Sequence, residues 1–111
     1  MKYVIDIDGT ICDKPEDMWH DGDYSHSVPK KDRIIEINKL YDDGHEITYL
    51  TARGMGRHKN SSTLAHKEFY NLTFNQLIQW GCKFHALHLG KPAGDLYIDD
   101  KGINANDFFT K

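Results

Sequence analysis

Apolar residues along the chain follow two spacings, which predict alternating strands and helices. Residues 3–5 and 47–50 form short apolar runs rich in Val, Ile and Tyr, which are typical of buried strands. Apolar residues recur at helical spacing over 31–43, and Gly44 follows as a helix stop signal. This pattern predicts a strand, a helix and a second strand in the first half of the chain.

The second half repeats the alternation. Ser61 or Ser62 is predicted to cap a second helix that Gly81 ends, with residues 71–74 as a candidate interruption. Two further apolar runs, 84–89 and 96–98, predict the third and fourth strands.

Strands that alternate with helices favour right-handed crossovers around a parallel sheet. We therefore expect an α/β fold, a three-layer doubly wound (Rossmann-like) parallel sheet with helices on both faces. The 111 residues suffice for one hydrophobic core, so we expect a single domain over 1–111 without a linker.

Between the first strand and the first helix lies a polar segment without periodicity, residues 11–29. Loops of this length usually serve a site, so the segment is predicted to be a flap. It contains the aromatic and histidine residues Trp19, His20, Tyr24 and His26.

The composition limits the classes of protein to consider. With 39% hydrophobic and 28% charged residues, the chain is typical of a folded domain, and its net charge of -3 does not favour nucleic-acid binding. No apolar run approaches the roughly 20 residues of a membrane span, and no signal-peptide pattern opens the sequence. We expect a cytoplasmic protein with no membrane partner, in which Cys12 and Cys82 are reduced thiols.

Polar residues follow each predicted strand at the end where parallel sheets bind ligands. Asp6 and Asp8 follow the first strand, where side chains two apart can point the same way, and Thr51 follows the second. Lys91 follows the third strand, and the pair Asp99 and Asp100 ends the fourth. Closely spaced carboxylates of this kind suit a magnesium ion.

The same residues lie in four motifs, in the order DIDGT, LTARG, GKP and YIDDKG. In this order they resemble the motifs of the haloacid dehalogenase-like (HAD) phosphohydrolase superfamily, and the resemblance covers essentially the whole chain. It implies phosphoryl transfer through an aspartyl phosphate, with Mg²⁺ as cofactor and a small phosphorylated molecule as substrate.

The resemblance also assigns roles. Asp6 would be the nucleophile, and Asp8 would protonate the leaving group and then activate water. Thr51 would donate a hydrogen bond to a phosphoryl oxygen, and Lys91 would offset its negative charge. The implied magnesium ligands are Asp6, Asp8, Asp99 and Asp100, with Asp99 and Asp100 not distinguished as the direct ligand. Further phosphate or substrate contacts are expected from Gly9, Thr10, Ala52, Arg53 and Arg57.

Neither position at which the superfamily carries a cap domain has room for one here, so we expect a small capless member. A capless site either takes a bulky substrate or is closed by a second subunit, so a homo-oligomer is one expectation. We expect a sugar phosphate or other small phosphorylated metabolite as substrate. Three alternatives stay open: a polynucleotide end phosphatase, a receiver-like phospho-signalling domain and a non-catalytic binding module.

Overall fold

The computed structural model describes residues 1–13 and 24–110. Strands and helices alternate along the chain. In chain order they are β1 (Lys2–Ile5), α1 (Lys31–Asp42), β2 (Glu46–Thr51), α2 (Ser62–Gln79), β3 (Ala86–Leu89) and α3 (Ala105–Phe109), and a 3-10 turn at Tyr24–His26 lies before α1.

The three strands form one parallel sheet in the order β1-β2-β3. Ile5 of β1 lies opposite Tyr49 of β2, and Tyr49 lies opposite Leu87 of β3. The predicted parallel α/β organisation is thereby confirmed. Because all three strands run the same way, their carboxyl ends lie along one edge of the sheet, and the residues that follow them start from that edge.

One face of the sheet carries the core. Ile5, Tyr49 and Leu87 point to this face and are buried with Ile37 of α1 and Leu77 of α2. Alternate residues of a strand point to opposite faces, so α1 and α2 cover the same face. Consecutive right-handed crossovers that step in one direction across a sheet produce this arrangement.

The opposite face is more open in the described part of the chain. Val4 is 67% exposed, His88 is exposed, and Thr48, Leu50 and Ala86 are half-buried. The short helix α3 contacts the core beside β1, where the ring of Phe108 packs edge-on against Tyr3. The sheet and its helices are thus shown, whereas a full helical layer on each face is not.

The two ends of the loop before α1 are hydrogen-bonded to each other. Residues 11–13 and 28–30 lie side by side, with the Asp13 N–H donating to the Val28 carbonyl and the Lys30 N–H donating to the Ile11 carbonyl. The predicted flap therefore begins and ends at one place beside β1. Its central part, including Trp19 and His20, lies outside the described residues.

Two predictions of elements are corrected. The second helix runs without interruption through 71–74. Residues 96–98 form no strand, and the Ile98 side chain is 91% exposed. The Tyr97 hydroxyl donates to the Pro92 carbonyl, and its ring lies 4.4 Å from Lys91 Nζ, so the segment folds back on the residues after β3 instead of extending as a strand.

In the described residues, no helix is long and apolar enough to cross a membrane.

Candidate functional site

A tight loop after β1 carries the two first carboxylates. Ile7, between Asp6 and Asp8, is fully buried and fixes the loop to the core. Gly9 has a φ of +81°, which glycine adopts without steric cost, and its N–H donates to the Cys12 carbonyl. The loop therefore holds both acids at the carboxyl edge of the sheet.

Two backbone N–H groups of this loop donate hydrogen bonds to carbonyl groups of the loop itself. The Gly9 N–H is used by Cys12, and the Thr10 N–H donates to the Ile7 carbonyl at 3.0 Å. The Thr10 carbonyl accepts from the Arg33 side chain at 3.1 Å. Gly9 and Thr10 thus shape the loop, and the two N–H groups expected at the phosphate are engaged within it.

Lys91 lies beside Asp6. Its Nζ is 3.8 Å from Asp6 Oδ1, and both side chains are partly accessible. The Lys91 N–H donates to the Thr51 carbonyl at 3.2 Å, which fixes the residues after β3 against the end of β2. The structure therefore brings the predicted nucleophile, the predicted lysine and the end of β2 together.

Thr51 is the last residue of β2 and is almost completely buried. Its Oγ1 accepts a hydrogen bond from the Arg53 N–H at 3.1 Å. Ala52, between them, is half-buried. The hydroxyl of Thr51 thus holds the turn after β2 in place.

The guanidinium of Arg53 is buried completely and is bound to Asp8. Nη2 lies 3.0 Å from Asp8 Oδ1, and Nε lies 3.0 Å from Oδ2, so the guanidinium engages both carboxylate oxygens. The sequence prediction had assigned Arg53 to the substrate. Its side chain instead has no accessible surface, and its charge is directed at Asp8.

Three further side chains hold Arg53 from the far side. Nη1 donates to Gln76 Oε1 at 2.6 Å and to Thr73 Oγ1 at 3.3 Å, and the guanidinium carbon lies 4.7 Å from the centre of the Tyr24 ring. Gln76 also donates to the Tyr24 carbonyl at 2.6 Å. Burial raises the pKa of the Tyr24 hydroxyl, so this neighbour of Arg53 stays neutral.

Thr73 and Gln76 were missed by the sequence analysis, although the sequence contains a signal for them. They lie on the buried stripe of α2 that Phe69 and Leu77 also occupy. Polar residues on an otherwise apolar stripe are hydrogen-bonded when buried, so they indicate a buried polar or charged partner.

Cys12 also contacts Asp8. Its thiol donates to Asp8 Oδ1 at 3.4 Å. Burial, and next the adjacent Asp8 carboxylate, raises the pKa of Cys12 to about 12. The thiol is therefore protonated at neutral pH, which argues against a nucleophilic cysteine. Cys12 and Cys82 are both free thiols, as predicted.

Two basic side chains in the loop between β2 and α2 contact an acid on α2. Arg57 Nη1 lies 3.2 Å from Glu68 Oε2, and His58 hydrogen-bonds the other oxygen of the same carboxylate. The Arg57 side chain stays half-exposed, so it keeps access to solvent.

The predicted acidic pair lies at the surface of the protein. Asp99 and Asp100 are both exposed, and Asp99 Oδ1 accepts from the Lys101 N–H. Within 1–13 and 24–110, no three His, Cys, Asp or Glu side chains are grouped so as to hold a metal ion. The oxygen donors are of the class that suits magnesium, but the structure does not assemble them.

No protein-family model and no curated protein matches this sequence. Among solved structures, the chain is similar to the crystal structure of an MCSG target from Vibrio cholerae, with a TM-score of 0.86 and 23% sequence identity. The alignment covers 99% of this chain and 88% of that one. At this identity the likeness shows the fold alone.

Proposed function

We propose that the protein is a phosphomonoester hydrolase that works through an aspartyl phosphate, with Asp6 as the nucleophile. The observation that carries the proposal is the position of Lys91, with Nζ 3.8 Å from Asp6 Oδ1 at the carboxyl edge of a parallel sheet. A carboxylate attacks a phosphate only if nearby positive charge offsets their repulsion, and Lys91 supplies that charge.

The reaction divides into two transfers. In the first, an Asp6 oxygen forms a bond to phosphorus while the bond to the leaving oxygen breaks, and that oxygen keeps the electron pair and takes a proton from Asp8. In the second, water attacks phosphorus, gives its proton to Asp8, and the bond to Asp6 breaks with release of phosphate. At the end of the cycle Asp6 is again a free carboxylate and Asp8 again carries its proton.

Thr51, Ala52 and Arg57 would assist at the phosphate. Thr51 ends β2 and its carbonyl accepts from the Lys91 N–H, Ala52 follows it, and Arg57 is the half-exposed cation nearest to them along the chain. A hydroxyl hydrogen bond and one exposed guanidinium are suitable contacts for phosphoryl oxygens.

Magnesium dependence belongs to the proposal. The ion, when bound, would neutralise phosphate charge, and Asp6, Asp8, Asp99 and Asp100 are the proposed ligands. Because the described residues do not group these carboxylates, no reaction step is assigned to the metal.

The remaining features of the proposal concern the molecule and its substrate. We propose a capless, doubly wound, cytoplasmic enzyme whose site stays open to a sugar phosphate or another small phosphorylated metabolite. A second copy of the chain would supply closure of such a site.

The decisive experiment is the release of phosphate from an aryl phosphate in the presence of Mg²⁺ by the wild type and Asp6→Asn. We expect kcat to fall by roughly a thousand-fold or more, because the amide is a far weaker nucleophile than the carboxylate. Asp43→Asn is the matched control: this exposed acid caps the end of α1, and its variant should keep full activity.

Turnover by a folded Asp6→Asn protein at the wild-type rate would contradict the nucleophile assignment. A stable phospho-Asp without hydrolysis would favour the signalling alternative. No activity in the wild type on aryl, sugar or nucleotide phosphates would favour a binding module, and activity confined to phosphorylated oligonucleotides would favour the polynucleotide end phosphatase.

A further inference from the structure

We propose that Arg53 is a positioning residue that fixes the Asp8 carboxyl group for proton transfer to the leaving oxygen. The inference rests on the proposed function and adds to it a residue with no direct contact to the substrate. It replaces the phosphate contact that the sequence suggested for Arg53.

The contact between the two residues restricts rotation of the carboxyl group. Arg53 reaches Asp8 Oδ1 through Nη2 and Oδ2 through Nε, each at 3.0 Å. Two parallel donors fix the plane of a carboxyl group, whereas a single donor lets it rotate. Cys12 contacts Oδ1 from a third direction at 3.4 Å.

Arg53 is itself held rigidly enough to perform this role. Its Nη1 hydrogen-bonds Gln76 and Thr73 on α2, and the ring of Tyr24 covers its guanidinium. A charge that is removed from water costs free energy unless every donor is paired. The guanidinium of Arg53 is hydrogen-bonded on both sides, so its position is fixed and with it the position of the Asp8 carboxyl group.

The role predicts a dependence on the leaving group. A nitrophenolate is a stable anion and departs without a proton, whereas an alkoxide requires one as its bond to phosphorus breaks. Misplacing the Asp8 carboxyl group should therefore slow hydrolysis of an alkyl phosphate and affect a nitrophenyl phosphate much less. The ratio kcat/KM reports the first transfer, in which the leaving group departs.

The test compares kcat/KM for p-nitrophenyl phosphate and for glycerol phosphate in the wild type, Arg53→Lys and Thr73→Val. Lysine keeps the positive charge but lacks the two parallel N–H donors with which Arg53 binds both Asp8 oxygens. Valine replaces the hydroxyl behind Arg53 with a methyl group of similar size. We expect Arg53→Lys to lower kcat/KM for the alkyl phosphate at least ten-fold more than for the aryl phosphate, through kcat and with KM little changed. Thr73→Val should shift the ratio in the same direction by a smaller factor.

Lys83→Gln serves as the control. It removes an exposed cation whose partner, Asp42, lies at the end of α1, and it should leave both substrates unchanged.

Equal losses on both substrates, or a change confined to KM, would overturn the inference while leaving the proposed function in place. If Arg53→Lys does not fold, Thr73→Val decides by the same ratio, and a wild-type ratio there would also overturn the inference. Absence of phosphate release from both substrates by the wild type would overturn the proposed function and this inference together.

Discussion

Gly54 lies against an aromatic ring in a backbone region that favours glycine. Its φ is +80°, and an added Cβ would lie 2.6 Å from Cδ2 of Phe69, which is buried. The Gly54 N–H also donates to the Tyr24 hydroxyl at 3.2 Å. The turn after β2 thus depends on a glycine at this position, directly after Arg53.

We expect Gly54→Ala to lower the free energy of unfolding by about 2–4 kcal/mol, because backbone strain adds to overpacking against Phe69. Denaturant unfolding measures this. Gly56→Ala is the matched control, since nothing lies within 4 Å of the added Cβ and the position is exposed. Equal stability of the two variants would show that the Gly54 position is not constrained as described.

Arg53 is a residue whose burial and charge partner could not be predicted from the sequence. Its place two residues after the end of β2 predicts a group near the candidate site. The sequence does not show whether a cation faces solvent or the interior. Here Thr73 and Gln76, on a helix later in the chain, supply partners that stabilise the buried position.

Among the elements, α2 determines where Thr73 and Gln76 stand. The helix begins after Ser61, whose hydroxyl accepts from the Leu64 N–H at 3.4 Å. The sequence predicted either Ser61 or Ser62 as this cap, and the structure selects Ser61. A side chain that caps the first turn satisfies one of the N–H groups left unpaired there.

Removing the cap should destabilise the protein modestly. We expect Ser61→Ala to cost about 1 kcal/mol in the free energy of unfolding, and Ser62→Ala, which removes a hydroxyl inside the first turn, to stay within about 0.5 kcal/mol of wild type. Thermal or denaturant unfolding of both variants checks this. A larger loss in Ser62→Ala than in Ser61→Ala would contradict the assignment of the cap.

The elements with strong periodicity were predicted well. The helix expected over 31–43 is found as Lys31–Asp42, and the strand expected over 47–50 is found within Glu46–Thr51. The wrong element, the strand over 96–98, has an apolar run of only three residues. A strand needs a partner, and a short apolar run does not show whether one is present.

On the scale of the whole molecule, no three of the predicted metal ligands are grouped in the described residues. Asp99 and Asp100 follow the exposed segment 96–98, whereas Asp6 and Asp8 start from the edge of the sheet. Magnesium binding by all four carboxylates would require them to come together around one ion.

Thermal unfolding with and without Mg²⁺ tests this requirement independently of activity. We expect Mg²⁺ to raise the Tm of the wild type by several degrees, since a ligand at 100 times its Kd stabilises by roughly 2.7 kcal/mol, and EDTA to reverse the shift. Asp99→Asn or Asp100→Asn should reduce the shift, and the larger loss identifies the direct ligand.

Asp95→Asn is the control for this measurement, because Asp95 is exposed and is not a proposed ligand. A full shift in both Asp99→Asn and Asp100→Asn would exclude the pair from the metal site. No shift in the wild type would contradict magnesium binding by the free protein.

The sequence by itself determined the alternation of strands and helices from β1 to β3, the parallel α/β class and the residues that follow each of these strands, because these depend on local periodicity and on the direction of the chain. The tertiary structure decided which charges meet. Asp8 and Arg53 are 45 residues apart in sequence, and their contact depends on how β1, β2 and α2 pack. Electrostatic partners are set by distance and burial, and neither is fixed until the chain has folded.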